Sequence, residues 1–265
     1  MKIRFLIVVL ISLTILSCTY DTKSNETLAL ESSISDALAI HTIKETIEAK
    51  EDGIDFIYDI GPRFAPVKRA VIKNATTIDT FFDAYKLQEM EKLTYVRITI
   101  IAYDQETEAS EVGYTTTFTA AQLALLKATS YNTSFMIKAE YQKKNSGAGG
   151  LEHDYNSPYL TIVPEKQASY FLGKEALKNY LTLESQEILK NVIPEKLQAA
   201  KLYFTINQKG GIENLYLDRS SGYPEVDKKM MEILSSVPGS WEPAENIDGE
   251  KVAQEMVVSF GLMGC

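Results

Sequence analysis

An α+β fold organised around the C-terminal end is expected of this sequence, on three grounds. Leu202, Phe204 and Ile206 alternate with Tyr203 and Thr205, Gly210-Gly211 turns the chain, and Ile212, Leu215 and Leu217 continue as a second strand. A two-glycine turn between alternating runs marks an antiparallel hairpin. Val226, Met230, Ile233, Leu234 and Val237 then share one face of a helix, which Pro238-Gly239 stops. After an Asp248-Gly249 turn, Met256, Val258 and Phe260 alternate once more as a last strand. A three-stranded antiparallel sheet with one helix on one face is the simplest pair of layers that buries both apolar surfaces.

The elements upstream read as follows. Met1-Lys2-Ile3-Arg4 and the apolar run Phe5 to Leu16 form a secretory signal, residues 1–17, too short for a comfortable membrane span. Residues 18–50 are a polar tether with a loose helical stripe, Ile34, Leu38, Ile40, Ile43 and Ile47, ended by Gly53. Residues 51–145 form a β-rich α+β domain. Its strand Ile54–Ile60 is broken by Gly61-Pro62, and a helix spans Val67 to Lys86. A strand from Leu93 to Tyr103, a charged turn from Glu106 to Ser110 and a strand from Tyr114 to Phe118 follow. A helix Ala120–Lys127, capped by the Thr119 hydroxyl, precedes a closing strand, Ser134–Tyr141. That order is the order of a ferredoxin-like split βαβ unit; a β-sandwich whose helices are crossings is the alternative. Residues 146–192 are a linker and lead-in: the tip Asn145–Gly150, a strand Tyr159–Val163 and a small helix Gly173–Leu181. Pro194 breaks the stretch Gln186–Ala200, and the last domain covers 193–265.

Composition narrows the function. The chain of 265 residues is 45% apolar, enough for real cores, and its formal charge is −9. A surface that acidic argues against nucleic acid and against broad adhesion to anionic lipid. Fifteen Tyr and 10 Phe suit strands. Two Cys and two His give metal chemistry almost no ligands, so no metal and no cofactor is expected.

Ile15-Leu16-Ser17-Cys18 resembles the lipobox of bacterial lipoproteins. The resemblance implies that Cys18 carries a diacylglyceryl, palmitate-type anchor and becomes the first residue of the mature chain. The folded part then faces the periplasm, and Thr19 leans the address toward the outer membrane. Cys265 is left alone, so no internal disulfide is expected.

Residues Ile193 to Met263 resemble the TonB C-terminal domain family. The family's "YP..A" entry is matched by Ile193-Pro194 and Ala199. Its hairpin signature is matched by Phe204, Gly211, Ile212, Asn214 and Ser221-Gly222, and its helix start by Val226-Asp227. Its "P.W.Pa..nG" stretch is matched by Pro238, Trp241-Glu242-Pro243-Ala244 and Gly249, and its last strand by Met256 to Phe260. Thr161 to Leu181 looks like the lead-in of such domains in Bacteroidota. The resemblance implies a structural motif of Ser221, Gly222, Asp227, Pro238, Trp241, Pro243 and Gly249. It also implies β-augmentation, in which an open sheet edge pairs with an extended segment of an envelope partner, such as a TonB-dependent transporter. The edge expected to do this is Gln254, Met256, Val257, Val258, Ser259 and Phe260. Cover by the upstream domain, or by a second copy in a homodimer, is the alternative. The prolines, 8 in all, are too scattered to form a stalk. A cleaved lipoprotein also has no transmembrane helix to carry force, so energy transduction is not expected.

Catalysis finds little to work with. His153-Asp154 has Ser157 nearby but no nucleophile elbow around it. His41 lies in the tether helix. Gly147, Gly149 and Gly150 lack the Lys of a phosphate loop. Asp218 with Asp227, and Glu106 with Glu111, read as solvated charge, and Trp241 reads as core. The expected function is therefore a non-catalytic envelope binding module. Two alternatives stand beside it: a structural component that self-pairs through the same sheet, and a glycan or peptidoglycan handler with a cleft lined by tyrosines among Tyr95, Tyr103, Tyr114 and Tyr131.

Overall fold

The structure is a computed structural model that describes residues 56–262, positions 146 and 148 excepted. The signal segment, Cys18, the tether helix and Cys265 lie outside the described residues. In chain order the strands are β1 (Ile57–Gly61), β2 (Ala65–Lys68), β3 (Lys92–Ala102), β4 (Gln105–Gly113), β5 (Ser134–Lys144), β6 (Leu151–Asn156) and β7 (Tyr159–Val163). After them come β8 (Ser169–Tyr170), β9 (Ala200–Ile206), β10 (Ile212–Arg219), β11 (Trp241–Glu242), β12 (Ala244–Glu245), β13 (Lys251–Val252) and β14 (Gln254–Gly261). The α+β class holds, with two principal sheets and two cores.

The C-terminal sheet runs β1-β14-β9-β10, antiparallel throughout. Its β9–β10 hairpin, the helix Pro224–Ser235 and the last strand lie where the periodicity put them. Gly210 turns the hairpin at φ +81°, and a Cβ there would lie 2.2 Å from the Trp241 carbonyl oxygen, so only glycine fits. Leu202, Phe204, Ile206, Met256, Val258 and Phe260 point to one face and pack with Val226, Met230, Ile233 and Leu234 of the helix. A second helix, Lys174–Leu189, adds Leu177, Tyr180 and Leu181 to the same core.

The expectation of three strands is corrected to four. Ile57–Gly61 leaves the middle domain and pairs with β14, Ile57 opposite Gly261 and Gly61 opposite Val257. The physical reason is the alternation of this segment. Phe56, Tyr58 and Ile60 are each no more than 5% exposed, and the C-terminal core is where they are buried. The Tyr58 hydroxyl meets Ser185 Oγ at 2.6 Å, which satisfies its one polar atom inside that core.

Removal of this strand also removes the first element of the split βαβ expectation, and the sheet order differs accordingly. The middle sheet runs β2-β7-β5-β3-β4, with β6 beside β5 and with β2 and β7 parallel. Leu151–Asn156 and Tyr159–Val163, read as linker and lead-in, are strands of this sheet. The helix expected over Val67–Lys86 is broken into Arg69–Asn74, a 3-10 turn Ile78–Thr80 and Ala84–Glu89. Backbone bonds to a distant segment explain the break: Ile78 N–H donates to Thr116 O and Phe118 N–H to Thr76 O, both at 2.9 Å. The charged run Glu106–Ser110 is strand β4 and not a turn. Tyr103 and Asp104, both at positive φ, make the turn instead, and the carboxylates fall on an edge strand, where charge discourages uncontrolled pairing. The Thr119 cap is present as a full capping box with Gln122.

Replacing Tyr58 by alanine is expected to cost about 3–5 kcal/mol, the range for truncating a buried aromatic side chain. Urea unfolding of the Tyr58→Ala protein measures it. A strand laid loosely on the sheet would lose far less.

Candidate binding cleft between the two sheets

From Val257 onward the last strand has a strand on both sides. β9 occupies one side from Gln254 to Phe260, and β1 occupies the other from Val257 to Gly261. Ahead of β1, the Glu255 N–H donates to Asn132 Oδ1 at 3.0 Å. The Gln254 side chain is fully buried, with Oε1 accepting from Ala168 N–H at 2.7 Å. The docking edge expected at Gln254, Met256, Val257, Val258, Ser259 and Phe260 is therefore corrected: β1 fills it from Val257 to Phe260, and ahead of that Asn132 takes the Glu255 N–H while the Gln254 side chain is buried. The other motif residues serve structure. Asp227 is buried and its Oδ1 accepts from Ser221 N–H at 2.8 Å, while its Oδ2 accepts from the Ser220 hydroxyl. Gly222 follows at φ +83°. Pro238 O accepts from the Tyr170 hydroxyl, Trp241 packs on Tyr170 and Phe204, Pro243 separates β11 from β12, and Gly249 turns into β13.

The alternation that fills the core leaves the opposite face of the same sheet to Tyr203, Tyr216, Glu255 and Val257. This face looks across at the end of the middle sheet, and a cleft of about 370 Å3 lies between them. The turn Tyr103–Asp104 and the segment Asn132–Ser134 form its far wall, and Arg63 and Phe64 its side. Tyr203 and Tyr216 are direct cross-strand partners, their rings stacked with centroids 5.2 Å apart and 10° between planes. Burial raises both phenols above their ordinary range, so both stay neutral.

Two carboxylates in the cleft are treated in opposite ways. Asp104 is surrounded by cations: Arg63 Nε donates at 2.7 Å, Arg219 lies 3.2 Å away and Lys201 3.4 Å. Burial pushes the Asp104 carboxyl up, but the hydrogen bond and charge of Arg63, helped by Lys201, hold it below the usual carboxylate range. Asp104 thus ties the β3–β4 turn to β9 and β10 of the other sheet. Glu255 is half-buried and its carboxylate has no hydrogen bond or ion pair among the described residues, and burial alone raises it above its ordinary value. A desolvated carboxylate without a counter-ion, beside the π faces of two neutral tyrosines, is a receptor for a cation. Exposed Asp218 adds a second negative charge to the lining.

No sequence signal singled out this site, because it depends on two segments far apart in the chain meeting across a gap. Tyr203 and Glu255 were legible only as the outward members of alternating strands. Of the four tyrosines proposed for a glycan cleft, Tyr103 alone lines it; Tyr95 bonds to Glu140 and Tyr131 to Glu165 Oε2. His153 lies on β6 and meets Glu140 at 3.2 Å, with no hydroxyl bonded to its ring among the described residues. No three His, Cys, Asp or Glu side chains converge on a metal-sized site among the described residues. No family model matches the chain, and no curated protein or solved structure matches it either.

The folded protein keeps the Glu255 proton to a higher pH than the unfolded chain does. It therefore binds more protons across that window, and stability falls as pH rises through it and stays lowered above it. Glu255→Gln is expected to melt higher than the parent at neutral pH, with the gap closing below about pH 4, where the unfolded carboxyl is protonated too. Thermal melts across pH check this. For comparison, Asp227→Ala leaves buried donors unpaired and is expected to lose about 2–3 kcal/mol in urea unfolding at neutral pH.

Proposed function

We propose that the chain is a non-catalytic, lipid-anchored module of the bacterial cell envelope, facing the periplasm, that captures a basic side chain of an extended peptide or protein segment in the inter-sheet cleft. The observation that carries this reading is the unpaired, desolvated Glu255 carboxylate beside the Tyr203–Tyr216 stack. The hairpin, helix and last strand in sequence order support a TonB C-terminal-like unit, now extended by β1. The sheet has two edges, β1 and β10, and strand addition is placed at β10, the edge whose Tyr216 lines the cleft. Register shifts interrupt β10 between Glu213 and Tyr216 and between Leu217 and Arg219. Bulges of this kind limit indiscriminate pairing, so a short ladder near Tyr216 with one side chain in the cleft fits better than a long one. The partner is a protein of the envelope, and an accessory role in TonB-dependent transport suits such a segment.

The test uses fluorescent extended peptides that differ only in one central residue, Lys, Leu or Glu, read by anisotropy. The Lys peptide is expected to bind at least ~10-fold more tightly than the Leu peptide, the worth of one charge-assisted hydrogen bond. Glu255→Gln removes that preference, and Tyr216→Ala weakens binding of the Lys peptide. A photo-crosslinking residue at position 216, but not at position 59 on the opposite sheet edge, then labels the envelope partner. Indifference to peptide charge, or equal labelling at both edges, overturns the reading.

A further inference from the structure

The open face of the C-terminal sheet is graded in charge along its strands, and the register sets the grading. Arg219 stands opposite Lys201, and Lys201 opposite Ser259. Tyr216 stands opposite Tyr203, and Tyr203 opposite Val257. Glu213 stands opposite Thr205, and Thr205 opposite Glu255. Along β9 these rows are two residues apart, so the basic and acidic rows are ~13 Å apart with the stacked phenols between them.

The basic end carries more positive charge than its own acids neutralise. Arg63, Lys201 and Arg219 all bond to the one carboxylate of Asp104. Asp218, next to Arg219 in the chain, is the other acid of the lining on this side. Three cations against two acids leave a positive surplus, and burial together with Arg63 holds the Lys201 ammonium below its ordinary range. Lys201 and Arg63 are enclosed, but the Arg219 side chain is 49% exposed. Its Nη2 meets Asp104 at 3.2 Å, and its other guanidinium nitrogens have no partner among the described residues. At the acidic end the balance is reversed. Glu255 has no ion pair among the described residues, and Glu213 accepts only from the neutral Asn207 amide, at 3.2 Å.

We infer that the segment captured at the cleft carries an acid as well as a base, in the order acid–x–x–x–Lys, and runs antiparallel to β10. The inference rests on the function proposed above. β10 runs from the acidic row at Glu213 to the basic row at Arg219. Every strand pair in this sheet is antiparallel, so an added strand enters beside Arg219 and leaves beside Glu213. Side chains four residues apart in an extended strand share a face and lie ~13 Å apart. An acid on Arg219 therefore brings the residue four further on to the acidic row, where a lysine beside Glu213 reaches over the small Thr205 toward Glu255. The reverse order sets like charges against each other at both ends, which is destabilising. The other edge, β1, turns Ile57, Asp59 and Gly61 to this face and has no such gradient.

Three fluorescent extended peptides test this with the intact protein: Glu–x–x–x–Lys, Gln–x–x–x–Lys and Lys–x–x–x–Glu, alike elsewhere and read by anisotropy. The first is expected to bind about 5-fold more tightly than the second, the worth of one favourable cross-strand charge pair, and the third no more tightly than the second. Arg219→Gln, at an exposed position, abolishes the advantage of Glu over Gln and keeps the preference for Lys over Leu, which belongs to Glu255. Equal binding of the first two peptides, or of the first and third, overturns the charge order and leaves the capture of a base standing. Loss of the Lys preference in the parent protein overturns both. The peptide comparison decides alone if the Arg219 variant melts early.

Discussion

Five residues at the start of the described chain hydrogen-bond along its last strand, and the shape of the molecule depends on that pairing. It closes the border of β14, places Phe56, Tyr58 and Ile60 in the C-terminal core, and sends the chain on from Gly61 into the middle sheet. Each of those three side chains contributes roughly 1.5–3 kcal/mol on burial. A partner strand competing for the same border would have to displace all three. The pairing is thus a permanent part of the fold, and it makes β1 and β10 the edges of the sheet.

The second constraint is the Asp104 cluster. A two-residue turn at positive φ projects this carboxylate from the middle sheet toward Arg63, Lys201 and Arg219, two of which stand on the C-terminal sheet. One acid shared among three cations leaves the local charge positive, and Glu255 and Asp218 offset it across the cleft. The gap between the sheets is held open by this contact and by the Asn132 bond to Glu255 N–H. Its walls come from two independent cores, so the cleft can hold polar groups without disturbing either.

The two faces of one sheet differ in chemical character. On the open face a carboxylate without an ion pair among the described residues and a stack of two tyrosines stand across from the cations that hold Asp104. On the helix side the sheet presents Leu202, Phe204, Met256, Val258 and Phe260 to the core. Period-two alternation produces this division, because each strand delivers one set of side chains to each face.

Local pattern was enough to establish the α+β class, the β9–β10 hairpin, the helix Pro224–Ser235, the Thr119 cap and the existence of a final strand. Alternation, helical spacing and turn residues act within a few positions of the chain, so their effects are written there. Which strands are neighbours was not written there. Ile57–Gly61 reads as a strand in either sheet, and Thr76-Thr77 reads as helix until Thr116 and Phe118 take its backbone bonds. Long-range packing settled that the last strand is interior and that, among the described residues, Glu255 lacks a counter-ion and the Trp241 N–H lacks an acceptor. Each of these depends on what a distant segment does or does not supply, and burial of apolar area, which selects those segments, carries no direction along the chain.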